Sequence, residues 1–173
     1  RADMPKTLAD GKVRFRILTV APVDPAAVKV AEANAGIEAE CKVLKSDFRL
    51  SATGSDTIAD TELCSEGNSQ AWGASNYEGS MTPFRYLDED GDPVVLEDAV
   101  WEAVKEKGTE FCAVLSEGKP HSTPFVVGDE YDAYIVLTDN PQKPTDRGGY
   151  IKRVVPLGVQ RAAENKVIVA DVP

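Results

Sequence analysis

The sequence has 173 residues, 19 Lys and Arg against 29 Asp and Glu, and a formal charge of -10. That length suits one domain able to bury about 70% of its unfolded surface, so no disulfide framework is needed. Three well-separated cysteines, Cys41, Cys64 and Cys112, and a single histidine, His121, supply neither a zinc ligand set nor a paired scaffold. They read as reduced thiols of a cytoplasmic product.

No apolar run reaches the roughly 20 residues of a membrane span, and residues 1–6 lack the apolar stretch of a signal peptide. No membrane partner is therefore expected. The charge is unevenly spread. Residues 1–55 hold 9 basic and 7 acidic side chains, residues 56–140 hold 4 and 19, and residues 141–173 hold 6 and 3. Tight nucleic-acid binding draws on cations that displace counterions from phosphate, and the acidic centre has few to offer. Its acidity serves solubility or, on the sharper reading, keeps a polyanion from adhering.

In chain order, a polar arm over 1–11 leads into a strand over 12–20, where Val13, Phe15 and Ile17 alternate with Arg14, Arg16 and Leu18. Asp24-Pro25 opens and Gly36 closes a short helical pattern over 26–34. Residues 37–50 read as extended. Over 51–75 the composition turns to Ser, Thr, Gly, Asp and Asn, and periodicity fades. A loop that long is uncommon in a compact domain and is usually functional or disordered.

A strand over 76–86 follows, with Pro83 marking an edge or bulge, and Asp88 to Pro93 forms a turn. Leu96, Val100, Trp101, Ala103 and Val104 recur at helical spacing within 96–107. Glu97 and Asp98 at its start, and Lys105 and Lys107 at its end, match the helix dipole. Alternation over 109–116 and 131–138 gives two strands, a turn-rich loop covers 139–149, and 150–160 and 166–172 complete the sheet. Seven or eight strands with one confident helix predict a mainly β chain, an antiparallel β-sandwich or partly closed barrel with one flanking α-helix.

Catalytic signatures are missing. Asp88, Asp90 and Asp92 begin like a calcium loop, but Pro93 and Ala99 stand where its Gly and Glu belong. The segment 73–77 is no nucleophile elbow, Ala52-Thr53-Gly54 lacks an aspartic protease Asp, and no phosphate-binding glycine pattern occurs. His121 reads as a surface turn residue. No enzyme activity, cofactor or metal is expected.

No internal repeat occurs, but a set of stretches stands in a distinctive order along the chain: 56–58 (Asp56-Thr57-Ile58), 64–68 (Cys64 to Asn68), 75–80 (Ser75-Asn76-Tyr77-Glu78-Gly79-Ser80), 101–108, 118–121, 128–132, 138–142 and 149–157. Together they resemble the major tail proteins, or tail tube proteins, of long-tailed siphovirus-type phages infecting actinobacteria. The resemblance covers most of residues 48–160.

It implies a single tail-tube domain over 1–173 and a virion protein made in the host cytoplasm. Its hexameric rings would stack into a tube around the tape measure protein, between tail tip and terminator proteins, and later conduct double-stranded DNA without binding it specifically. A tail terminator and a β-sandwich binding module remain alternative readings.

On the tube reading, strand alternation offers Glu78, Ser80 and Thr82 of one strand, and Asp132, Tyr134 and Thr138 of another, as lumen-facing candidates. The 51–75 loop is the candidate inter-ring element, with Ile58, Leu63 and Trp72 as apolar anchors.

Overall fold

The computed structural model describes residues 6–59, 64 and 71–171. Its elements are β1 (Val13–Leu18), α1 (Val30–Ala35), β2 (Ile37–Glu38), a single 3-10 turn (Lys45–Asp47), β3 (Arg49–Ala52), β4 (Thr57–Ile58), β5 (Ala71–Trp72), β6 (Tyr77–Met81), α2 (Ala99–Val104), β7 (Glu110–Glu117), β8 (Glu130–Thr138) and β9 (Val155–Val167). Seven strands form one antiparallel sheet in the order β2-β1-β7-β8-β9-β6-β3, and β4 pairs with β5 separately. The chain is mainly antiparallel β, as its strand periodicity predicts.

The middle of the sheet is apolar on both sides. Phe111 and Ala113 of β7 join Tyr134 and Val136 of β8 in one core. Cys112 and Val114 join Ala133 and Ile135 in a second. Strands covered on both faces lose the alternation of a half-wet sheet. Val100 and Val104 of α2 cap the first core. Ala33 of α1, Val28, Phe125 and Ile168 cap the second.

The sheet stays open at β2 and β3, but a strap spans the gap. After β2 the chain crosses to the far side, where Val43 bridges Pro83, the Leu44 N–H donates to Thr82 O (2.9 Å) and the Phe84 N–H donates to Lys42 O (3.0 Å). Phe48 then packs on Phe15 of β1 with ring centroids 5.0 Å apart. The sheet therefore wraps around its first core. Gly79 of β6 faces that core, where a Cβ would lie 3.0 Å from Leu50 Cδ1 and Leu157 Cβ, so the wrap leaves no room for a side chain there.

Several sequence boundaries shift for identifiable reasons. Among the described residues both expected helical stretches form helices, each with shifted ends. α1 begins only at Val30, because the backbone before it is occupied: Val169 N–H donates to Val28 O (3.0 Å) and Val30 N–H donates to Val169 O (3.2 Å). The helix expected over 96–107 is also shorter. Asp98 is fully buried, its carboxylate accepting from Arg85 Nε (3.0 Å) and the Tyr86 N–H (2.9 Å), so α2 starts after it.

The far end of α2 is drawn away by the hydroxyls of Thr109 and Thr138, which both donate to Glu106 O. Gly108, at φ +82, makes the turn out. Leu96, expected in the buried stripe, is 83% exposed. The strands expected over 150–160 and 166–172 merge into the thirteen-residue β9. Register shifts against β8 absorb the interruption, and the Asp132 carboxylate holds the Asn165 N–H at 2.7 Å.

Candidate functional site

β1 carries a surprise for a strand of alternating Arg and apolar residues: both arginines are buried. Arg14, 1% exposed, donates to Asp129 Oδ2 (2.8 Å) and Ser116 Oγ (2.8 Å) and lies 4.1 Å from the Phe125 ring centroid. Arg16 donates to both oxygens of Glu40 (2.7 and 2.6 Å). Burial alone would raise the Asp129 carboxyl, but hydrogen bonds from Lys119 and Arg14 outweigh it and hold the group below its ordinary value of 3.8. These pairs are structural supports, and a sequence pattern of Arg in a strand does not distinguish them from surface residues.

The six residues proposed from alternation separate. Glu78 and Ser80 lie on the side of β6 that faces away from the first core, beside Arg49 of β3, which pairs with Glu78. Thr82 shares their side of the strand but is 1% exposed, because the 3-10 turn folds over it and the Asp47 carboxylate accepts its hydroxyl. Tyr134 and Thr138 face the first core and are 2% and 3% exposed. The Tyr134 hydroxyl donates to Glu164 Oε1 (2.6 Å), and burial with that carboxylate raises its pKa. Thr138 holds the end of α2. Thr82, Tyr134 and Thr138 thus have their hydroxyls engaged within the chain, as does Ser80, which donates to Asp47 O (3.2 Å), since α2 and the turn cover surface that alternation alone leaves open. Asp132 sits half-buried near the start of β8, on the opposite side of the sheet from Glu78.

The proposed apolar anchors also divide. Ile58 is 48% exposed and Trp72 is 77% exposed; Trp72 stands opposite Thr57 in the β4–β5 pair. The base of this pair is fixed by Gly73 N–H to Asp56 O (2.7 Å), Asp56 N–H to Ala74 O (2.9 Å) and Asn76 Nδ2 to Asp56 Oδ1 (2.9 Å). Leu63 lies outside the described residues.

Two further surfaces escape sequence reading. At the end of the sheet formed by the start of β1 and β8 and the close of β7 and β9 lies a cleft of about 900 Å³. Its floor includes Val13, Phe15, Phe48 and Leu115, and its rim carries Glu117, Glu130 and Asp132. Cys41 and His121 meet on its wall, Sγ to Nδ1 3.7 Å, although 80 positions apart in sequence. At the opposite end, between β8 and β9, a loop carries Lys143, Arg147, Lys152 and Arg153. Tyr150 (82% exposed) and Ile151 (51% exposed) stand among them. Bridges Gln142–Val154 and Phe84–Lys152 tie down its base.

The Asp88 to Asp92 turn folds on itself, with the N–H groups of Asp90 and Asp92 donating to Asp88 Oδ1 (3.0 and 2.8 Å). Among the described residues no group of three or more His, Cys, Asp or Glu is placed to hold a metal, and no helix is long and apolar enough to cross a membrane.

The geometry is thus one of surfaces: a polar sheet side, a strand pair carrying the exposed Trp72 and two unlike strand ends. A family model described as phage tail tube protein matches residues 1–172. The chain belongs to the phage tail tube protein family. Membership makes it a structural component of a phage tail, acting in an assembly of tail proteins. No curated protein matches it. In the solved cryo-EM structure of the anti-feeding prophage baseplate, six-fold symmetrised, one chain is 15% identical; the likeness covers 92% of this chain and 95% of that chain, with a TM-score of 0.45.

Proposed function

We propose that copies of this chain form hexameric rings that stack into the tail tube, with the whole chain acting as one tail-tube domain. The tube surrounds the tape measure protein, meets tail tip and terminator proteins at its ends, and conducts double-stranded DNA at ejection. On this reading the chain assembles in the host cytoplasm, resides in the virion tail and carries out no catalytic step.

The observation that carries the proposal is the family match over residues 1–172. The side of β3 and β6 that faces away from the first core supports it by presenting Arg49, Ser51 and Glu78, with Ser80 beside them at the edge of the 3-10 turn. A polar surface of balanced charge lets a polyanion slide past without the net attraction that phosphate binding needs. Glu78 and Ser80 are the lumen residues of this reading. Ile58, Trp72 and the 51–75 segment make contacts between rings.

The test is expression of the chain alone, with negative-stain microscopy and light-scattering mass. Hollow tubes of stacked rings are the expected result. Rings that never stack would assign the terminator role instead, and a particle that stays monomeric even with purified tail-tip complex would refute the tube reading.

A further inference from the structure

The cleft and the basic loop occupy opposite ends of the same strands. β9 begins at the loop with Val155 and ends at the cleft with Val167, a span of roughly 40 Å at the usual rise per residue. Their chemistry is complementary. The loop offers four cations against one carboxylate, Asp146, around the exposed Tyr150 and Ile151. The cleft offers the carboxylates of Glu117, Glu130 and Asp132 over an apolar floor, while Lys45 and Arg49, which also line it, are paired with Asp10 and Glu78.

Neither surface can satisfy the other within one copy, because the sheet separates them. The loop is presented ready to dock: bridges hold its base, and the Tyr150 ring rests edge-on against Phe84 with centroids 5.9 Å apart.

We propose that the 143–153 loop of one copy seats in the cleft of a second copy, Tyr150 and Ile151 entering over Phe15 and Leu115 while the flanking cations meet the carboxylate rim. This rests on the tube reading and names its repeating contact. A contact between two different patches is head-to-tail, so each bound copy presents a fresh cleft or loop and the assembly propagates. Apolar side chains at the centre supply the anchor, and charges at the rim set register and partner choice.

Cys41 on the cleft wall provides a reporter. In a Cys64→Ser background, assembled Ile151→Cys protein treated with a short bismaleimide is expected to give a ladder of cross-linked copies that disappears with Cys41→Ser. Trp72→Cys under the same treatment should give no Cys41-dependent product. Charge reversal supplies the second arm. Arg147→Glu with Lys152→Glu should raise the concentration needed for assembly by about tenfold or more, the scale of a few lost rim pairs. Adding Glu117→Lys and Glu130→Lys should bring it back, with melting curves confirming that every variant is folded.

Ile151→Cys tubes that form normally but give no Cys41-dependent product, or Trp72→Cys tubes that give one instead, would overturn this contact and leave the tube reading intact. Failure of wild type to assemble even with tail-tip complex would sink both.

Discussion

Arg14 and Asp129 show how a single buried pair organises one end of the sheet. Asp129 receives Arg14 from β1, Lys119 from the β7–β8 connection and the Val126 N–H (3.2 Å) from its own loop. Removing one member leaves the other charged and without water, which costs about 3–5 kcal/mol for buried pairs. Asp129→Ala should therefore lower the unfolding free energy by that much in urea titrations at neutral pH.

The pH dependence has a definite sign. The folded carboxyl titrates below its ordinary value of 3.8, so its contribution is fully present above the unfolded value and is lost as pH falls through the folded one. The gap between wild type and variant should be constant from about pH 5 upward and narrow below about pH 4. A gap unchanged at pH 3 would show that packing, not charge, accounts for the loss.

The thiols provide a second contrast at this scale. Cys112 is buried and its thiol is pushed up to about 12 by burial and by Glu32, whereas Cys41 is exposed. Iodoacetamide near pH 8 should label Cys41 in the native protein and reach Cys112 only in denaturant, as read by mass spectrometry.

Helix α2 illustrates what an element inherits from its neighbours. Its periodicity is readable because Val100 and Val104 repeat on one side, and both are buried. Its ends were not readable, since they depend on Arg85 reaching Asp98 and on Thr138 reaching Glu106 across 32 positions of chain. Leu96 fits the helical pattern yet lies before the helix and in solvent. Leu96→Asp should accordingly change stability by no more than about 0.5 kcal/mol. Val104→Asp places an unpaired carboxylate in the first core and should prevent folding, as circular dichroism would show.

The same reasoning separates legible from illegible site residues. The shared side of Glu78 and Ser80 follows from the two-residue period of a strand. That Tyr134 and Thr138 face inward depends on α2 covering the sheet, and no local pattern records which side a helix will cover. The cleft joins residues from six separate stretches of chain, including Cys41 and His121, so no motif could announce it. Arg14 and Arg16 mislead for a related reason: their partners, Asp129 and Glu40, come from other elements.

At the scale of the whole molecule, the chain buries its apolar side chains in two cores and still leaves Trp72 at 77% exposure, on a strand pair supported from below by hydrogen bonds of residues 53–56 with 73–76. A large aromatic held out on a fixed base gains nothing for the isolated chain. Its removal should therefore leave the folded monomer almost unchanged. On the proposed tube reading, burying the same indole against another copy contributes on the order of 2 kcal/mol or more, an effect repeated at every copy. Trp72→Ser is expected to keep its urea midpoint within the range of an ordinary surface change, about 0.5 kcal/mol, while tube growth measured by light scattering requires at least tenfold more protein, the equivalent of about 1.4 kcal/mol per contact. Tubes that grow at the wild-type concentration would mean that the β4–β5 pair lies outside the contacts between copies. A monomer destabilised by several kcal/mol would mean instead that Trp72 packs within its own chain.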